Sequence, residues 1–194
     1  MEATILAPAV IQYEFPEELA ARVVDAARSF DKWERSLVVD DEEIQDIRTS
    51  DDVSLYMLPS VEDEVRAVIY ACMEDYNERF QSGLTQVEPV SLLRYGPGGK
   101  YVAHADTCWQ VYRISSLLVY LNPGEYEGGE TVFHQFGLRV KPERPSVVVF
   151  PANYAYEHEA VPVVSGEKIV VVTWMNDLPD GLDQEVIARL VDHG

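Results

Sequence analysis

The chain has 194 residues, of which 47% are hydrophobic and 25% charged; these proportions exclude disordered, collagen-like and coiled-coil chains. No apolar run approaches the roughly 20 residues that span a bilayer, and the N-terminus lacks the basic start of a secretory signal, so a cytoplasmic protein without a membrane partner is predicted. With 34 acidic and 15 basic residues the net charge is −19, which argues against nucleic acid as a partner because phosphates repel such a chain.

The first third of the chain is predicted to be mainly helical. Pro16 stands at the expected start of one helix, whose apolar residues recur at helical spacing from Leu19 to Phe30. Ser60 is the predicted N-cap of a second helix, with an apolar stripe that ends at Phe80. Residues 1–86 are therefore expected to form a helical support.

An acidic segment, residues 33–52, lies between these helices and contains Asp40-Asp41-Glu42-Glu43. It has few signals of regular structure and is expected to be a mobile loop or a hairpin. Two interpretations remain open for it. Either it covers a substrate and attracts a basic peptide through its field, or it is a solvated loop without substrate contact.

From Val87 onward the pattern changes to short β-branched and aromatic runs bounded by Gly, Pro and Asn. Strands are predicted near residues 89–95, 101–104, 115–121, 131–133, 138–140, 146–150, 159–163 and 169–174. So many short strands indicate a jelly roll or a barrel. The whole chain is expected to be one α+β, mainly β domain, with N-terminal helices on one sheet, a β core over 87–176 and a last helix within 177–194, near Gln184–Val191.

The tripeptide His104-Ala105-Asp106 places two metal-binding side chains at positions i and i+2. Both point to the same face of an extended strand, so they can converge on one ion. His158, on a distant strand, is the candidate that completes a two-histidine, one-carboxylate triad, a geometry that suits non-haem Fe(II). A closed structural zinc site is the alternative, but it needs cysteine ligands, and only Cys108 lies nearby.

Lys168 enters a strongly apolar strand that runs from Ile169 to Trp174. Burial of an ammonium group is costly unless an anion accompanies it. The residues alone leave two interpretations open: an anion-binding lysine, or a lysine whose ammonium reaches water at the strand end.

Several linked motifs occur in one order between Val90 and Asn176. They are Arg94-Tyr95-Gly96 with Gly98-Gly99; His104-Ala105-Asp106; Arg113 before Leu118-Val119-Tyr120-Leu121-Asn122; Gly128-Gly129-Glu130-Thr131-Val132-Phe133; Val140-Lys141-Pro142; His158-Glu159-Ala160-Val161-Pro162-Val163; and Gly166-Glu167-Lys168 before Trp174. In this combination the sequence resembles the Fe(II)- and 2-oxoglutarate-dependent dioxygenases of the prolyl 4-hydroxylase type. Ile47-Arg48-Thr49-Ser50 also resembles the N-terminal part of that family.

The resemblance implies a double-stranded β-helix fold, which is a jelly roll of the cupin kind. It assigns His104, Asp106 and His158 to Fe(II), with 2-oxoglutarate and O2 as cosubstrates and ascorbate as a candidate reductant. The expected reaction is hydroxylation with release of succinate and CO2. Related halogenases lack the carboxylate ligand, so Asp106 favours hydroxylation.

The resemblance also implies a cosubstrate pocket. Lys168 matches the cation that pairs with the distal carboxylate of 2-oxoglutarate, and Tyr120 matches a position that often helps to hold it. Tyr95 is expected to line the pocket, and Trp174, on the same strand face as Lys168, to form a wall. His134 departs from the family, which commonly has proline there; it either faces solvent or touches substrate.

A prolyl residue in a protein or peptide is the first substrate hypothesis, with basic peptides favoured. The alternatives are a free amino acid or small metabolite on the same scaffold, and a catalytically silent cupin-like binding module, against which the intact triad and Lys168 argue. Candidate substrate contacts are Arg113, Trp109 and Tyr101. Arg113 could equally form a structural ion pair, and Trp109 could belong to the core.

Overall fold

A computed structural model of the chain describes residues 2–36, 46–108 and 111–179. Over these ranges there are two α-helices, α1 (Glu17–Ser29) and α2 (Glu62–Phe80), and short 3-10 helices at Leu55–Met57, His134–Phe136 and Tyr154–Tyr156. Neither α-helix is long and apolar enough to cross a membrane. Three predicted features lie outside the described residues: Trp109, the acidic run Asp40-Asp41-Glu42-Glu43, and the predicted helix near residues 184–191.

The described strands are short and follow one another closely. In chain order they are β1 (Ala3–Ala7), β2 (Val10–Glu14), β3 (Glu34–Arg35), β4 (Arg48–Thr49), β5 (Asp51–Ser54), β6 (Gln86–Val87), β7 (Ser91–Tyr95), β8 (Lys100–His104), β9 (Ser115–Tyr120), β10 (Tyr126–Gly128), β11 (Thr131–Phe133), β12 (Leu138–Val140), β13 (Ser146–Pro151), β14 (His158–Ala160), β15 (Val163–Gly166) and β16 (Lys168–Asn176).

The described strands form two main antiparallel sheets, which pack against each other, and a separate two-stranded pair. The larger sheet has the order β1-β2-β13-β9-β16-β7-β5-β3, with β6 paired to the end of β16. The smaller sheet has the order β12-β11-β14-β8-β4, and β10 pairs with β15. Phe133 of the smaller sheet and Phe150 of the larger meet edge to face at 4.9 Å. This is the predicted jelly roll, in a mainly β fold with two helices.

The two faces of the larger sheet serve different cores, and β16 shows the division. Its odd-numbered residues Ile169, Val171 and Met175 join the core that the sheet shares with α1 and α2. Its even-numbered residues Val170 and Val172 join the core between the sheets. Alternation of side chains along a strand therefore turns one half of β16 towards the helices and the other half towards the interior of the jelly roll.

The prediction of a mainly helical first third is wrong at its start, because β1 and β2 form a hairpin before α1. Val10 and Ile11 are fully buried, and β2 pairs with β13. The hairpin turns at Ala9, whose φ is 54°. Short, apolar strands of this kind lack the regular alternation that would have distinguished them from a helix start.

The predicted N-cap of α2 is also wrong. The helix begins at Glu62 with Val61 at the cap position, and no side chain caps it. The backbone N–H groups of Val61 and Glu62 both donate to the carbonyl of Leu58, at 3.1 and 3.2 Å. The preceding 3-10 turn thus supplies the acceptor that a capping Ser60 would have provided.

Two further segments refine the prediction. The strand expected at 159–163 is two strands, β14 and β15, in different pairings, because Pro162 cannot donate to a ladder. The acidic segment is closed at its base by pairing of β3 with β5, in which Glu34 lies opposite Asp52, as the hairpin alternative requires. The proposed division at residues 86 and 177 stays a prediction.

Candidate active site

Three metal-binding side chains converge at one end of the smaller sheet. His104 ends β8 and His158 begins β14, and the two residues are partners in the antiparallel register. Nε2 of His104 lies 3.4 Å from Oδ1 of Asp106, and Nε2 of His158 lies 3.6 Å from its Oδ2. One ligand atom of each residue lies within 4.8 Å of the others, so the three residues could hold one metal ion.

The other ring nitrogens of both histidines contact backbone carbonyls. Nδ1 of His104 is 2.9 Å from the carbonyl oxygen of Val102, and Nδ1 of His158 is 3.1 Å from that of Tyr156. A carbonyl only accepts, so Nδ1 carries the proton and Nε2 keeps its lone pair for a metal. Burial lowers the pKa of His158 to about 4, which leaves this imidazole neutral and able to ligate at neutral pH.

Asp106 is fixed through both its side chain and its backbone. The hydroxyl of Ser116 donates to Oδ2 at 2.6 Å, and the backbone N–H of Asp106 donates to the carbonyl of Ala152 at 3.0 Å. Burial alone would raise the pKa of Asp106, but the two adjacent imidazoles of His158 and His104 and the hydrogen bond from Ser116 hold it below its usual range. The carboxylate is therefore ionised and oriented before any ligand binds.

The triad opens onto a cavity of about 330 Å³ between the two sheets. Even-numbered residues of β16 form one wall, and residues of β7, β8 and β9 form much of the rest. Residues that line the cavity include Arg48, Tyr95, Tyr101, Arg113, Leu118, Thr131, Lys168, Val170, Val172 and Trp174. The cavity thus joins the triad to most of the cosubstrate residues predicted from sequence.

Lys168 is buried, with 3% of its surface exposed. Its ammonium donates to the carbonyl of Gly129 at 2.7 Å and lies 5.4 and 5.2 Å from the ring centres of Tyr95 and Tyr120. A Cβ at residue 129 would meet Cδ of Lys168 at 3.2 Å, so glycine permits this approach. Burial lowers the pKa of Lys168 to about 8. An ammonium group in such a place suits an anionic ligand better than water.

Tyr120 lies behind the cavity wall. Its hydroxyl donates to Oγ1 of Thr131 at 2.7 Å, and Thr131, not Tyr120, lines the cavity. Thr131 thus lies between the cavity and the Tyr120 hydroxyl, to which its Oγ1 is bonded. Thr131 was not singled out in the sequence, although it lies in the quoted Gly129-Glu130-Thr131 motif.

Aromatic side chains form the walls on either side of the triad. Tyr95 is buried, and burial raises the pKa of its phenol. Tyr101 stacks on the ring of His104 with centroids 3.6 Å apart, and the guanidinium of Arg48 lies 4.9 Å above Tyr101. Arg48 was missed as a site residue; its signal was the Ile47-Arg48-Thr49-Ser50 resemblance.

Arg113 lines the cavity as a member of a structural ion pair. Its Nη2 and Nε lie 2.9 and 3.0 Å from Oε2 of Glu88. Its guanidinium lies 3.4 Å from the ring centre of Trp174, and Nη1 donates to the carbonyl of Asp106 at 3.3 Å. The ion-pair alternative for Arg113 is therefore present, and contact with substrate stays a proposal, as it does for Trp109.

His134 and Cys108 occupy different places. His134 has a side chain that is 58% exposed and lies 3.0 Å from Glu159, as the solvent-facing alternative predicts. Cys108 is exposed and lines the cavity, whereas Cys72 is buried in the core. Neither cysteine belongs to the group of metal-binding residues found in the described part of the chain.

The donor set fits the metal and cosubstrate expected from the sequence. Two neutral imidazoles and one carboxylate suit Fe(II) and leave coordination positions open. Lys168 lines the same cavity and supplies the cation that a second carboxylate of a chelating ligand requires. The residues present therefore match Fe(II) and 2-oxoglutarate.

Residues 90–176 match the family model of the 2OG-Fe(II) oxygenase superfamily. A PKHD-type hydroxylase of Sphingopyxis alaskensis is 28% identical over 155 residues, which cover 74% of this chain and 69% of the relative. The chain spans between 45% and 69% of the length of four curated relatives that it matches.

Two solved structures show the same fold. A prolyl 4-hydroxylase of Pseudomonas putida gives a TM-score of 0.70 at 22% identity and covers 87% of this chain and 92% of its own. A prolyl hydroxylase from Trichoplax adhaerens was solved with a hypoxia inducible factor peptide. It gives a TM-score of 0.73 at 14% identity, and the match covers 94% of this chain and 86% of the Trichoplax chain. Together with the triad, Lys168 and the motif order, the family match places residues 90–176 in the 2OG-Fe(II) oxygenase superfamily, and the curated relatives that the chain resembles include prolyl 4-hydroxylases.

Proposed function

We propose that this protein hydroxylates a prolyl residue in a protein or peptide, with 2-oxoglutarate and O2 as cosubstrates. The observation that carries the proposal is one cavity lined by both the His104, Asp106, His158 triad and the buried ammonium of Lys168. Fe(II), bound there with 2-oxoglutarate and O2, supplies the oxidation that converts a C–H bond into C–OH and releases succinate and CO2.

The protein's own residues bind and orient the metal ion and 2-oxoglutarate. The triad presents two neutral imidazoles and an ionised carboxylate, each fixed by a neighbouring hydrogen bond. Lys168 pairs with the far carboxylate of 2-oxoglutarate, and the Thr131 hydroxyl, held by Tyr120, adds a polar contact beside it. Val170 and Val172 exclude water between these two ends of the cavity.

A prolyl substrate is supported by the walls of the cavity and by similar proteins. Tyr101 and Trp174 line the cavity beside the ring faces that His104 and Arg113 occupy, and the aromatic surface that remains is apolar enough for a pyrrolidine ring to pack against it. The Trichoplax adhaerens prolyl hydroxylase was solved with a peptide fragment, and we extend that substrate class to this chain. The PKHD-type hydroxylases leave the substrate class broader.

A free amino acid is the less favoured substrate. It would need a cation for its carboxylate and an anion for its ammonium near the metal. Arg113 is already paired with Glu88 and with the carbonyl of Asp106, so its charge is largely neutralised by the protein itself. Preference for basic peptides rests on the net charge of −19 and remains part of the proposal.

The test is succinate formation from 2-oxoglutarate under air with Fe(II) and ascorbate. Proline-containing peptides, matched in length but acidic, neutral or basic, are compared with free amino acids. We expect succinate to rise with a peptide and the peptide to gain about 16 Da on proline, the mass of one oxygen atom inserted by such a reaction.

Two variants give the blank and the control. Asp106→Ala removes the carboxylate ligand and should abolish product, whereas Asp25→Ala, at an exposed position of α1, should not. Stimulation by a free amino acid alone would move the protein to the small-molecule alternative. Product formation by Asp106→Ala at the wild-type rate would overturn the triad assignment.

A further inference from the structure

We propose that Glu88 is a positioning residue that holds Arg113 between the metal-binding Asp106 and the cavity wall at Trp174. Glu88 lies just before the residues 90–176 that match the oxygenase family, on the segment between β6 and β7. The inference rests on the proposed function only in taking this cavity as the active site.

Glu88 and Arg113 form a bidentate ion pair that is largely shielded from solvent. Nε of Arg113 lies 3.2 and 3.0 Å from the two carboxylate oxygens of Glu88, and Nη2 lies 2.9 Å from Oε2. The side chains are only 10% and 19% exposed. Such a pair fixes the plane of the guanidinium as well as its position.

The backbone of Glu88 is tied to β16 at the same level. Its N–H donates to the carbonyl of Trp174 at 2.9 Å, and its carbonyl accepts from the hydroxyl of Thr173 at 2.9 Å. Glu88 is therefore anchored to the strand that carries Trp174, and its carboxylate is presented from a rigid support.

Arg113, held in place by Glu88, contacts both the aromatic wall and the loop that carries Asp106. One face of its guanidinium stacks on the indole of Trp174 at 3.4 Å, and Nη1 donates to the backbone carbonyl of Asp106 at 3.3 Å. The backbone N–H of Arg113 also donates to Oγ1 of Thr107, the residue after Asp106, at 3.3 Å. The loop that carries the metal-binding carboxylate and the aromatic wall thus share one support.

Loss of the Glu88 carboxylate would leave the guanidinium partly buried without its counter-charge. Uncompensated buried charge is costly, so Arg113 would turn towards water and leave both Trp174 and the Asp106 carbonyl. We therefore expect a looser Asp106 and an uncovered indole face, without loss of any residue that itself lines the triad.

The experiment measures Mn(II) binding by calorimetry and tryptophan emission, both without turnover. Glu88→Ala should weaken Mn(II) binding by about tenfold, the lower end of the effect of changing a group that supports a metal ligand, and should shift tryptophan emission. In a protein that already carries Trp174→Phe, adding Glu88→Ala should not shift the tryptophan emission. Glu88→Gln keeps the shape of the side chain and one acceptor oxygen. Its Mn(II) affinity and tryptophan emission should therefore lie between those of Glu88→Ala and the wild type. This variant also provides the test if Glu88→Ala fails to fold.

A double-mutant cycle separates positioning from general destabilisation. If Glu88 acts through Arg113, Glu88→Ala should add nothing to Arg113→Ala. Glu62→Gln is the matched control, because Glu62 is a similarly shielded carboxylate, 2.9 Å from Arg66, far from the cavity lining. Wild-type Mn(II) affinity and emission in both Glu88 variants, or additive effects in the cycle, would overturn the inference. Because neither readout needs a substrate, failure of the hydroxylase proposal leaves them interpretable.

Discussion

The hydroxyl of Ser116 lies 2.6 Å from Oδ2 of Asp106, a direct hydrogen bond from the centre of the larger sheet to the candidate metal ligand. Ser116 is 1% exposed and lies opposite Trp174 in the pairing of β9 with β16. The sheet therefore reaches the metal site through one short side chain, and the orientation of Asp106 depends on a residue that sequence reasoning did not single out.

Removal of this hydroxyl should weaken metal binding. We expect Ser116→Ala to reduce Mn(II) affinity by about tenfold, because Asp106 loses the bond that orients its carboxylate. Calorimetry with Mn(II) measures the change. Ser146→Ala is the control, since Ser146 is equally buried on β13 but hydrogen-bonds to Gln12 and Arg144. Equal losses in both variants would mean that the effect is general.

Lys168→Ala should act on the cosubstrate and spare the metal. A hydrogen bond to a charged group contributes about 1.5–3 kcal/mol, so the KM for 2-oxoglutarate should rise roughly 10- to 100-fold. Mn(II) affinity should stay at the wild-type value. Lys141→Ala, at a lysine that is 57% exposed and pairs with Glu130, is the control. An unchanged KM in Lys168→Ala would place the anion elsewhere.

Binding of 2-oxoglutarate should weaken at alkaline pH. Burial lowers the pKa of Lys168 to about 8, so the ammonium form is fully present below that pH and is lost as the pH rises. Beyond the pKa the cationic fraction of the free protein falls about tenfold per pH unit, so the affinity begins to fall near pH 8. A bound carboxylate raises the pKa of Lys168 in the complex, and the decline therefore continues up to that higher pKa. Titration calorimetry between pH 7 and 10 checks it; in Lys168→Ala the affinity should be low and flat.

Removal of one hydroxyl from the Tyr120–Thr131 hydrogen bond should lower the free energy of unfolding more than removal of both. Thr131→Val leaves the buried phenol of Tyr120 without its acceptor, and we expect the free energy of unfolding to fall by about 1–3 kcal/mol. Adding Tyr120→Phe removes the second polar group and should recover part of that loss. Urea unfolding measures all three variants. A double variant less stable than Thr131→Val would contradict this reading of the pair.

Much of the core was predictable because its signals are local. The continuous apolar run after Lys168 predicted the strand, and the parity of positions 168 and 174 put Lys168 and Trp174 on one face; both residues line one cavity. The family resemblance named His104, Asp106 and His158, which meet within 4.8 Å. In each case short-range pattern and ordered motifs carry the information.

The supporting residues could not be predicted, because their roles arise from long-range contacts. Glu88 and Arg113 are 25 positions apart, and Ser116 on β9 of the larger sheet meets Asp106 in the loop that follows β8 of the smaller sheet. Tyr120 was expected to help hold the distal carboxylate of 2-oxoglutarate, which stays a prediction, and the bond from its hydroxyl to Thr131 was not foreseen. The hairpin of β1 and β2 was missed since its place depends on the edge of β13.

Because side chains alternate between the two faces of β16, substitutions at its even-numbered and odd-numbered positions have different effects. Substitutions at Val170 and Val172 alter the volume offered to a bound molecule, while Ile169, Val171 and Met175 keep the sheet on its helices. Substitutions at the even positions therefore change the cavity and the core between the sheets, and they leave the contact between the sheet and its helices in place. Insertion of a single residue in this strand would exchange the two sets, and would bury Lys168 against the helices while turning its apolar neighbours to the ligand.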